Sequence, residues 1–445
     1  MGNVSLKYRA ASVFLKTFIS VRWGMRFKSR AALLAYQNNM MAQHRQKWWH
    51  KTVFYAPYAS NPDNVPAMNK HNMMANFDAL NTVGVLQKDC FELARAAEDS
   101  RDFSSMINGV TVGLSSGTSG IKGIFLASQI EQARWAAIML AKLLPQPFYR
   151  SQRIALFLRA NSNLYEKLDQ SRWVQFKFFD LSLPIADVIS ALNEFSPTIL
   201  VAPAQCLELL SKAQSKGELE IKPHKIIAVA EALPDDVREK VEHTWHTRVD
   251  EIYQATEGFL AVSCAYGQLH LNEEFVKFTP DWLDEEHTRF APIITDFTRS
   301  SQLMVSYRLD DVLQLAASQT CACGSHTLII DKIEGRCDDV LNFKKLNGDV
   351  LAVFPDAISR GILLVDGIQD FRVVQVNEMQ VNITYTASNS VVSHQNAIQQ
   401  AVQQALIRAG TDIQNLKINV TQVDAFEINL MHKRRRIVGL QARKI

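Results

Sequence analysis

The chain has 445 residues, of which 47% are hydrophobic and 21% charged, and its formal net charge is +3. These values are typical of a globular protein with room for a large domain and a smaller one. Six cysteines are too few for a disulfide-stabilised secreted scaffold, and Lys, Arg or Asn interrupts every apolar stretch that approaches a membrane span in length. We therefore expect a cytoplasmic protein.

Residues 1 to about 100 are predicted to be mostly helical, with a loop rich in Pro and Asn near 61–66, and the first 60 residues are strongly basic. The first acidic residue is Asp63, and ten basic residues precede it: Lys7, Arg9, Lys16, Arg22, Arg26, Lys28, Arg30, Arg45, Lys47 and Lys51. One face of the first predicted helix is apolar and contains Phe14, Phe18, Val21 and Met25. Two interpretations stay open: the helix packs on the protein's own surface, or it makes a peripheral contact with an anionic membrane.

From about residue 100 onward, short apolar segments alternate with amphipathic ones. The predicted strands are 110–114, 153–158, 198–201 and 225–229, and the predicted helices are 204–215 and 235–247. Alternation of strand and helix is typical of an α/β domain that binds ligands at the carboxyl ends of its strands. We place this domain at residues 1–337.

The last hundred residues have a different pattern. Alternating apolar residues predict a hairpin between residues 374 and 385, and a strand is predicted near 417–423. Between them, Ile398, Val402 and Leu406 share one face of a helix that Gly410 would cap. Residues 338–445 are therefore predicted to form a small, mobile α+β domain.

A cluster of glycines and hydroxyl residues follows the predicted strand at 110–114. Its sequence is Leu114-Ser115-Ser116-Gly117-Thr118-Ser119-Gly120-Ile121-Lys122-Gly123. Glycines let backbone amides turn toward an anion, and the hydroxyls add further donors, so this segment is a candidate phosphate loop. It lacks the Gly-Lys-Ser/Thr ending of a Walker A loop, and a turn without a ligand is the alternative.

Four further motifs follow this loop along the chain. They are Ala230-Glu231-Ala232-Leu233, Tyr253-Gln254-Ala255-Thr256-Glu257, Tyr307-Arg308-Leu309-Asp310-Asp311 and Gly335-Arg336-Cys337-Asp338-Asp339. In this combination the chain, from about residue 26 to its end, resembles the adenylate-forming superfamily of acyl- and aryl-CoA synthetases and adenylation domains. It is most similar to the branch of phenylacetate–CoA ligases and coenzyme F390 synthetase-like enzymes. The resemblance implies a large α/β domain followed by a small lid domain.

The resemblance implies a site for ATP or AMP with a magnesium ion. The departing phosphates would be held by Ser115, Ser116, Gly117, Thr118, Ser119, Gly120 and Lys122. Thr256 would contact the α-phosphate, and Glu257 would coordinate magnesium, which prefers hard oxygen ligands. Tyr253 would stack on adenine, with Glu231 and Ala232 closing the base pocket.

The resemblance also implies roles for residues near and beyond the domain boundary. Asp311 would accept hydrogen bonds from both ribose hydroxyls, and Arg336 would reach the same sugar. Asp338 matches the hinge about which the small domain turns between the two half-reactions. Lys433 matches the lysine that reaches the acyl-AMP oxygens. The chain has His-Lys where the family has Gly-Lys, so either of the next two arginines stays an alternative.

The cysteines provide a second candidate site. Cys264 and His270 follow the predicted magnesium ligand, and Cys321 and Cys323 lie between the ribose aspartate and the hinge. Three thiolates and one imidazole are a complete tetrahedral set for zinc, and some members of the similar branch carry a structural zinc at matching places. His326 is a competing nitrogen ligand, and four independent buried residues are the alternative.

We therefore expect an ATP- and magnesium-dependent ligase that activates a small carboxylic acid as its acyl-adenylate. The acyl group would pass to a thiol, coenzyme A in the simplest case. Transfer to the phosphopantetheine of a carrier protein, or adenylylation as in F390 synthetase-like enzymes, is the alternative within enzymes. The alternative of another class is a basic membrane- or nucleic-acid-binding protein with a degenerate nucleotide site, although nucleic acid is not expected as a partner of the ligase.

Overall fold

The computed structural model describes residues 2–100, 105–115, 123–145, 150–158, 174–181, 183, 185–345, 349–388, 393–427 and 433–440. The chain forms two compact units. The larger unit comprises Met1–Asp281, Pro292–Leu309 and Leu315–Asp331. The smaller unit comprises Trp282–Ala291, Asp310–Gln314 and Lys332–Ile445. A domain boundary after residue 337 stays a prediction.

The start of the larger unit is mostly helical, in agreement with the sequence. Its helices are α1 (Gly2–Ile19), α2 (Arg30–Trp48), α3 (Lys70–Ala75), α4 (Phe77–Leu80) and α5 (Gln87–Ser100). A π-helical turn at Ser20–Gly24 follows α1, and 3-10 turns follow α2 at Trp49–Lys51, Ala56–Tyr58 and Pro62–Asn64. Helix α2 begins at Arg30, where the hydroxyl of Ser29 accepts a hydrogen bond from the N–H of Ala32 and so caps the helix.

Helix α1 packs against α6 (Gln129–Leu143), in agreement with the first interpretation of its apolar face. The four predicted apolar residues are half-buried: Phe14, Phe18, Val21 and Met25. Arg22 donates hydrogen bonds to the carbonyls of Ala141 (2.7 Å) and Leu144 (2.8 Å) at the end of α6. A guanidinium is well suited to this place, since the last carbonyls of a helix have no partner within the helix. Among the residues that the structure describes, no helix is both long enough and apolar enough to span a bilayer.

A small antiparallel sheet precedes α6. It consists of β1 (Met106–Ile107), β2 (Val110–Leu114) and β3 (Ile124–Ser128), with β2 at its centre. The main sheet of the larger unit begins with a parallel part in the order β5-β4-β6-β7-β8. These strands are β4 (Gln152–Leu158), β5 (Val174–Asp180), β6 (Ile199–Ala202), β7 (Lys225–Ala228) and β8 (Val249–Ala255).

Helices connect β5 to β6, β6 to β7 and β7 to β8, as the alternating pattern predicts. They are α7 (Ile185–Phe195), α8 (Ala204–Ser215) and α9 (Asp235–Trp245). All four residues of β6 are buried, which explains why its sequence is uninterrupted and apolar. Helix α9 ends two residues before the predicted position because His246 adopts a left-handed conformation with φ of +48°.

The sheet continues with antiparallel strands β9 (Gly258–Ser263) and β10 (Leu269–Leu271). The strands that follow along the chain are β11 (Val276–Trp282), β12 (Arg289–Asp296), β13 (Met304–Arg308), β14 (Asp311–Leu315) and β15 (Ile329–Arg336). All of β14 except Leu315 belongs to the smaller unit. Within the larger unit, β10 pairs with the start of β15, and the end of β12 pairs with β13. Strand β9 pairs with β8 on one side and β10 on the other, and all six of its residues are buried.

The smaller unit has the predicted α+β composition. Its elements are β16 (Leu341–Lys344), β17 (Val350–Val353), α10 (Pro355–Leu363), β18 (Ile368–Asn377), β19 (Gln380–Ala387), α11 (Gln395–Ala409), β20 (Lys417–Gln422) and β21 (Ile437–Val438). The predicted hairpin is the β18–β19 pair in a four-stranded sheet of order β20-β19-β18-β21. Ile398, Val402 and Leu406 are fully buried, and Gly410 caps α11 in the left-handed conformation.

Candidate active site and metal centre

A two-residue turn between β8 and β9 presents the predicted magnesium ligand. Thr256 and Glu257 form this turn, and Glu257 is buried. Its Oε1 accepts a hydrogen bond of 3.0 Å from the Tyr307 hydroxyl, and its Oε2 accepts one of 2.8 Å from the Thr256 hydroxyl. Two donors therefore hold this carboxylate in one orientation. A contact between Thr256 and an α-phosphate stays a prediction.

Arg299 connects this turn with the strand that follows the glycine-rich loop. One guanidinium nitrogen donates a hydrogen bond of 3.1 Å to the carbonyl of Thr256, and another donates one of 3.0 Å to the carbonyl of Leu126 in β3. The side chain of Gln302 accepts from the N–H of Leu126 (3.0 Å) and donates to the carbonyl of Ile124 (3.1 Å). Strand β3 and the glutamate turn are thus fixed relative to each other.

A buried glutamate of α6 holds the segment around Arg299. Glu131 accepts hydrogen bonds from the N–H groups of Ser300 (2.5 Å) and Ser301 (2.9 Å), and it forms a capping box with Ser128. Burial alone would raise the pKa of Glu131, but the Arg299 guanidinium and these hydrogen bonds hold it below its ordinary value. The carboxylate is therefore charged at neutral pH and fixes two backbone amides.

The structure describes the two ends of the predicted phosphate loop, up to Ser115 and from Gly123 onward, where β2 and β3 pair. The Ser115 N–H donates to the Gly123 carbonyl, and the Gly123 N–H donates to Ser115 Oγ, both at 2.8 Å. Gly113 is needed in β2 because a Cβ at this position would lie 1.9 Å from the ring of Phe125. The other predicted phosphate ligands lie outside the described residues: Ser116, Gly117, Thr118, Ser119, Gly120 and Lys122.

The residues predicted to bind the base follow β7 or lie in β8. Glu231 accepts hydrogen bonds from the side chain (3.1 Å) and backbone N–H (3.4 Å) of Gln205, the second residue of α8. The preceding Ala230 has φ of +68°, a left-handed conformation that costs free energy for a residue with a side chain. Ala232 is exposed and Tyr253 is buried in β8. Stacking of adenine on Tyr253 stays a prediction.

The two residues predicted to reach the ribose lie close together in the smaller unit. Arg336 Nε is 4.0 Å from Asp311 Oδ1, and Arg336 Nη2 is 3.6 Å from Asp310 Oδ2. The carbonyl of Asp310 also accepts a hydrogen bond from the N–H of Cys337. This proximity is what joint contact with one sugar requires. Convergence of Asp311 with the phosphate loop and the magnesium ligand around one nucleotide stays a prediction.

Arginines beside the predicted catalytic lysine form ion pairs within the smaller unit. Arg434 Nη1 lies 3.3 Å from Asp370 Oδ2, and Arg435 pairs with Asp339. Burial raises the pKa of Asp339 more than its pairing with Arg435 lowers it. The side chain of Lys433 is exposed. Both arginines named as alternatives to Lys433 are thus engaged in structural contacts.

The predicted hinge residue is bound by the C-terminal segment. Asp338 lies in a 3-10 turn formed by Cys337–Asp339, and its carbonyl accepts a hydrogen bond of 3.0 Å from the N–H of Gly439. A Cβ at Gly439 would lie 2.1 Å from the carbonyl oxygen of Val340. Only glycine allows so close an approach to the turn.

The three cysteines and the histidine predicted to bind zinc converge in the larger unit. The ligand atoms of Cys264, His270, Cys321 and Cys323 all lie within 4.8 Å of one another. Cys264 Sγ is 3.7 Å from Cys321 Sγ, and Cys323 Sγ is 3.5 Å from His270 Nε2. A tetrahedral zinc ion with ordinary bond lengths has S–S and S–N edges of about 3.8 and 3.5 Å. The cluster therefore fits zinc, with His270 rather than His326 as its nitrogen ligand.

Groups around the cluster orient the four ligands. The N–H groups of Tyr266 and Ser325 each lie 3.4 Å from a sulfur, Cys264 Sγ and Cys323 Sγ respectively. Thr327 Oγ1 lies 3.0 Å from Nδ1 of the histidine ligand, which leaves Nε2 to face the sulfurs. Four protein ligands leave no open coordination position, so a metal bound here would be structural.

Three supporting residues were missed by the sequence analysis. Tyr307 stands in a recognised motif, but nothing in the sequence connects its hydroxyl with Glu257. Arg299 belongs to no motif. Glu131 stands in a Ser-x-x-Glu sequence before an apolar helix, which is the pattern of a capping box. That pattern indicates the helix cap but not the hydrogen bonds that Glu131 accepts from Ser300 and Ser301.

Comparison with known structures gives matches over nearly the whole chain. A structure of 2-hydroxyisobutyryl-CoA ligase in the postadenylation state, in complex with R3-HIB-AMP, is similar over 93% of this chain and 89% of its own, with a TM-score of 0.65 and 13% sequence identity. An open conformation of that ligase with 2-HIB-AMP and CoA is similar over 91% of each chain, with a TM-score of 0.58 and 14% identity. The amide bond synthetase McbA from Marinactinospora thermotolerans is similar over 73% of this chain and 68% of its own, with a TM-score of 0.52 and 10% identity.

Sequence comparisons add no relative. No family model matches the chain, and no curated protein matches it in sequence. At identities of 10–14%, the structural likeness concerns the fold. The chain has the fold of the adenylate-forming ligases, an α/β domain with a smaller C-terminal subdomain, as its sequence motifs predicted.

Proposed function

We propose that this chain uses ATP to activate a carboxylic acid as its acyl-adenylate and then transfers the acyl group to the thiol of coenzyme A. Two findings support this proposal: the adenylate-forming fold and the buried Glu257 carboxylate at its strand turn. The observation on which it rests most is the orientation of Glu257 by two hydroxyl groups. Membership of the phenylacetate–CoA ligase and F390 synthetase-like branch is part of the proposal.

Glu257 suits a magnesium ion. Each carboxylate oxygen has two lone pairs, and the hydroxyls of Tyr307 and Thr256 each use only one. Magnesium prefers such hard oxygen donors and is usually held by one or two carboxylates together with substrate phosphates. A bound ion would neutralise negative charge on the phosphates of ATP while the carboxylate of the acid substrate attacks the α-phosphate.

The remaining roles fall to the chain's own residues. Amides and hydroxyls of the loop from Ser115 to Lys122 would bind the departing phosphates. Lys433, whose side chain is exposed, would offset negative charge on the acyl-AMP. Asp311 and Arg336 would bind the ribose, and rotation at Asp338 would bring the small domain into its second arrangement for thioester formation.

We also propose that the cluster of Cys264, His270, Cys321 and Cys323 binds a structural zinc ion. The distances between its ligand atoms match a tetrahedral ion, and the histidine ring is fixed by a hydrogen bond. The ion would join the loop after β9 to the segment before β15. It would stabilise the larger unit without taking part in acyl transfer.

The experiment is pyrophosphate release by the purified protein with ATP, magnesium and a panel of aryl, alkyl and amino acids. Products with coenzyme A, a phosphopantetheine carrier protein or no acceptor then separate thioester formation from release of the adenylate. We expect Glu257→Gln to lower adenylation about 100-fold or more, and Glu92→Gln on the exposed face of α5 to leave it unchanged. Absence of pyrophosphate release with every acid, together with no binding of ATP or AMP, would overturn the proposal. Salt-dependent binding to DNA without pyrophosphate release would favour the nucleic-acid alternative.

A further inference from the structure

Helix α1 exposes a second apolar face, distinct from the one predicted from the sequence. Tyr8, Leu15 and Ile19 are 75%, 57% and 48% exposed. Their spacing of seven and four residues places them on one side of a helix with 3.6 residues per turn. Trp23, in the turn that follows, is 47% exposed, and its ring lies edge-on to that of Phe18 with 6.0 Å between the centroids. Single exposed apolar residues are ordinary, but three large ones on one side of a helix, with a fourth in the turn just beyond it, mark an interaction surface.

Exposed cations surround this row. At 100° per residue, Arg9 and Lys16 lie on one flank of the apolar side and Lys7 on the other. All three side chains are exposed, and so are Arg26 and Lys28 beyond the helix. The first carboxylate side chain along the sequence is that of residue 63. The surface is therefore apolar along its centre and positively charged at its edges.

The rest of the larger unit holds this face outward. Helix α1 packs against α6 on its other side, where Phe14 and Phe18 are half-buried. Arg22 fastens the end of α1 by hydrogen bonds to Ala141, Leu144 and Pro145. The helix therefore cannot turn its outer apolar row inward without losing these bonds.

We propose that the outer face of α1, formed by Tyr8, Leu15, Ile19 and Trp23 with its flanking cations, docks onto an anionic phospholipid surface. A helix with such a face lies in the plane of the membrane, with the apolar side chains at the boundary between headgroups and acyl chains. Tryptophan and tyrosine suit this depth because each combines an apolar ring with a polar atom, and lysine and arginine reach outward to the phosphates. The proposal goes beyond ligase activity and does not depend on it.

The test is co-sedimentation of the full chain with phosphatidylcholine vesicles, with and without phosphatidylserine. We expect binding to the mixed vesicles that weakens as salt is added, and little binding to phosphatidylcholine alone. The double variant Leu15→Glu/Ile19→Glu removes two apolar anchors and adds two negative charges, and we expect it to bind about 100-fold more weakly. Both positions are exposed, so the fold is retained, which circular dichroism verifies.

A matched control carries the same chemical change elsewhere. Leu86→Glu/Leu364→Glu alters two other exposed leucines, 53% and 83% exposed, and we expect it to bind like the unchanged protein. Equal loss in both double variants, or equal binding to both kinds of vesicle, would overturn the proposal. A concentration-dependent dimer that the Leu15 and Ile19 changes abolish, without vesicle binding, would assign the face to a second copy of the chain instead. Retention on DNA but not on vesicles would also overturn it.

Discussion

Strand β9 connects two candidate sites that are held together in different ways. At its start, the Glu257 side chain receives hydrogen bonds from Thr256 and Tyr307, and Arg299 supports the turn. Just after its end, Cys264 lies beside the other three residues of the Cys/His cluster, and all four ligand atoms are within 4.8 Å of one another. Six buried residues, about 20 Å of extended chain, separate the two sites.

The difference concerns what fixes the geometry. The glutamate turn is fixed by hydrogen bonds between protein groups, so it needs no ligand to take its shape. The Cys/His cluster brings three sulfurs close together, and three thiolates repel each other unless a cation lies among them. Disturbing the first site should therefore reduce adenylation most, and disturbing the second should reduce stability most.

The largest loss of stability is expected at the cluster. Cys321→Ser removes one thiolate ligand, and we expect zinc content to fall and the free energy of unfolding to drop by about 4 kcal/mol. Metal analysis and urea unfolding measure the two effects. Cys337→Ser makes the same atomic change at a half-buried cysteine outside the cluster and should retain the metal. Equal stability of both variants, with no zinc in the original protein, would show that the cluster is not a metal site.

Local patterns explain why much of the fold was predictable. The apolar residues of β6, the hairpin of the smaller unit and the cap at Gly410 each follow from a few neighbouring side chains. The Cys/His cluster was predictable for a related reason, because cysteines are rare in this chain and a metal requires a set of ligand types. In each case the residue type itself points to the structure.

The supports of the glutamate turn were not predictable, because their partners are distant in sequence. Tyr307 lies 50 residues from Glu257, and Arg299 lies 173 residues from Leu126. Arginine and tyrosine have many possible partners, and only the packing of strands selects one. Backbone carbonyls, which Arg299 binds, have no sequence signature at all. Hydrogen bonds of this kind follow from the assembled fold rather than from a motif.

Substitution of Arg299 is expected to reduce stability less than Cys321→Ser does, but to reduce adenylation more. Arg299→Met keeps much of the side-chain length but leaves the carbonyls of Thr256 and Leu126 without this donor, at a cost of about 3 kcal/mol. We expect adenylation to fall about tenfold, because a freer turn no longer holds the glutamate in one orientation. Arg134→Met is the matched control, since Arg134 donates to the carbonyl of Thr298 in the same segment but not to the turn. Unfolding in urea and pyrophosphate release measure the two effects, and equal activity of the two variants would refute the positioning role.

The smallest loss of stability is expected for substitution of Glu131, and this loss should depend on pH. Its pKa in the folded protein is lowered from its ordinary value of 4.5, so its stabilising contribution is present above that value and is lost as the pH falls through the folded-state pKa. Glu131→Gln should therefore cost about 2 kcal/mol at neutral pH, and this difference should shrink below about pH 4.5 as the original carboxylate becomes protonated. Urea unfolding at a series of pH values measures the difference, with the exposed Glu92→Gln as the baseline for general acid effects. A difference that stays constant down to pH 3 would mean that the shape of the side chain, rather than its charge, holds the Arg299 segment in place.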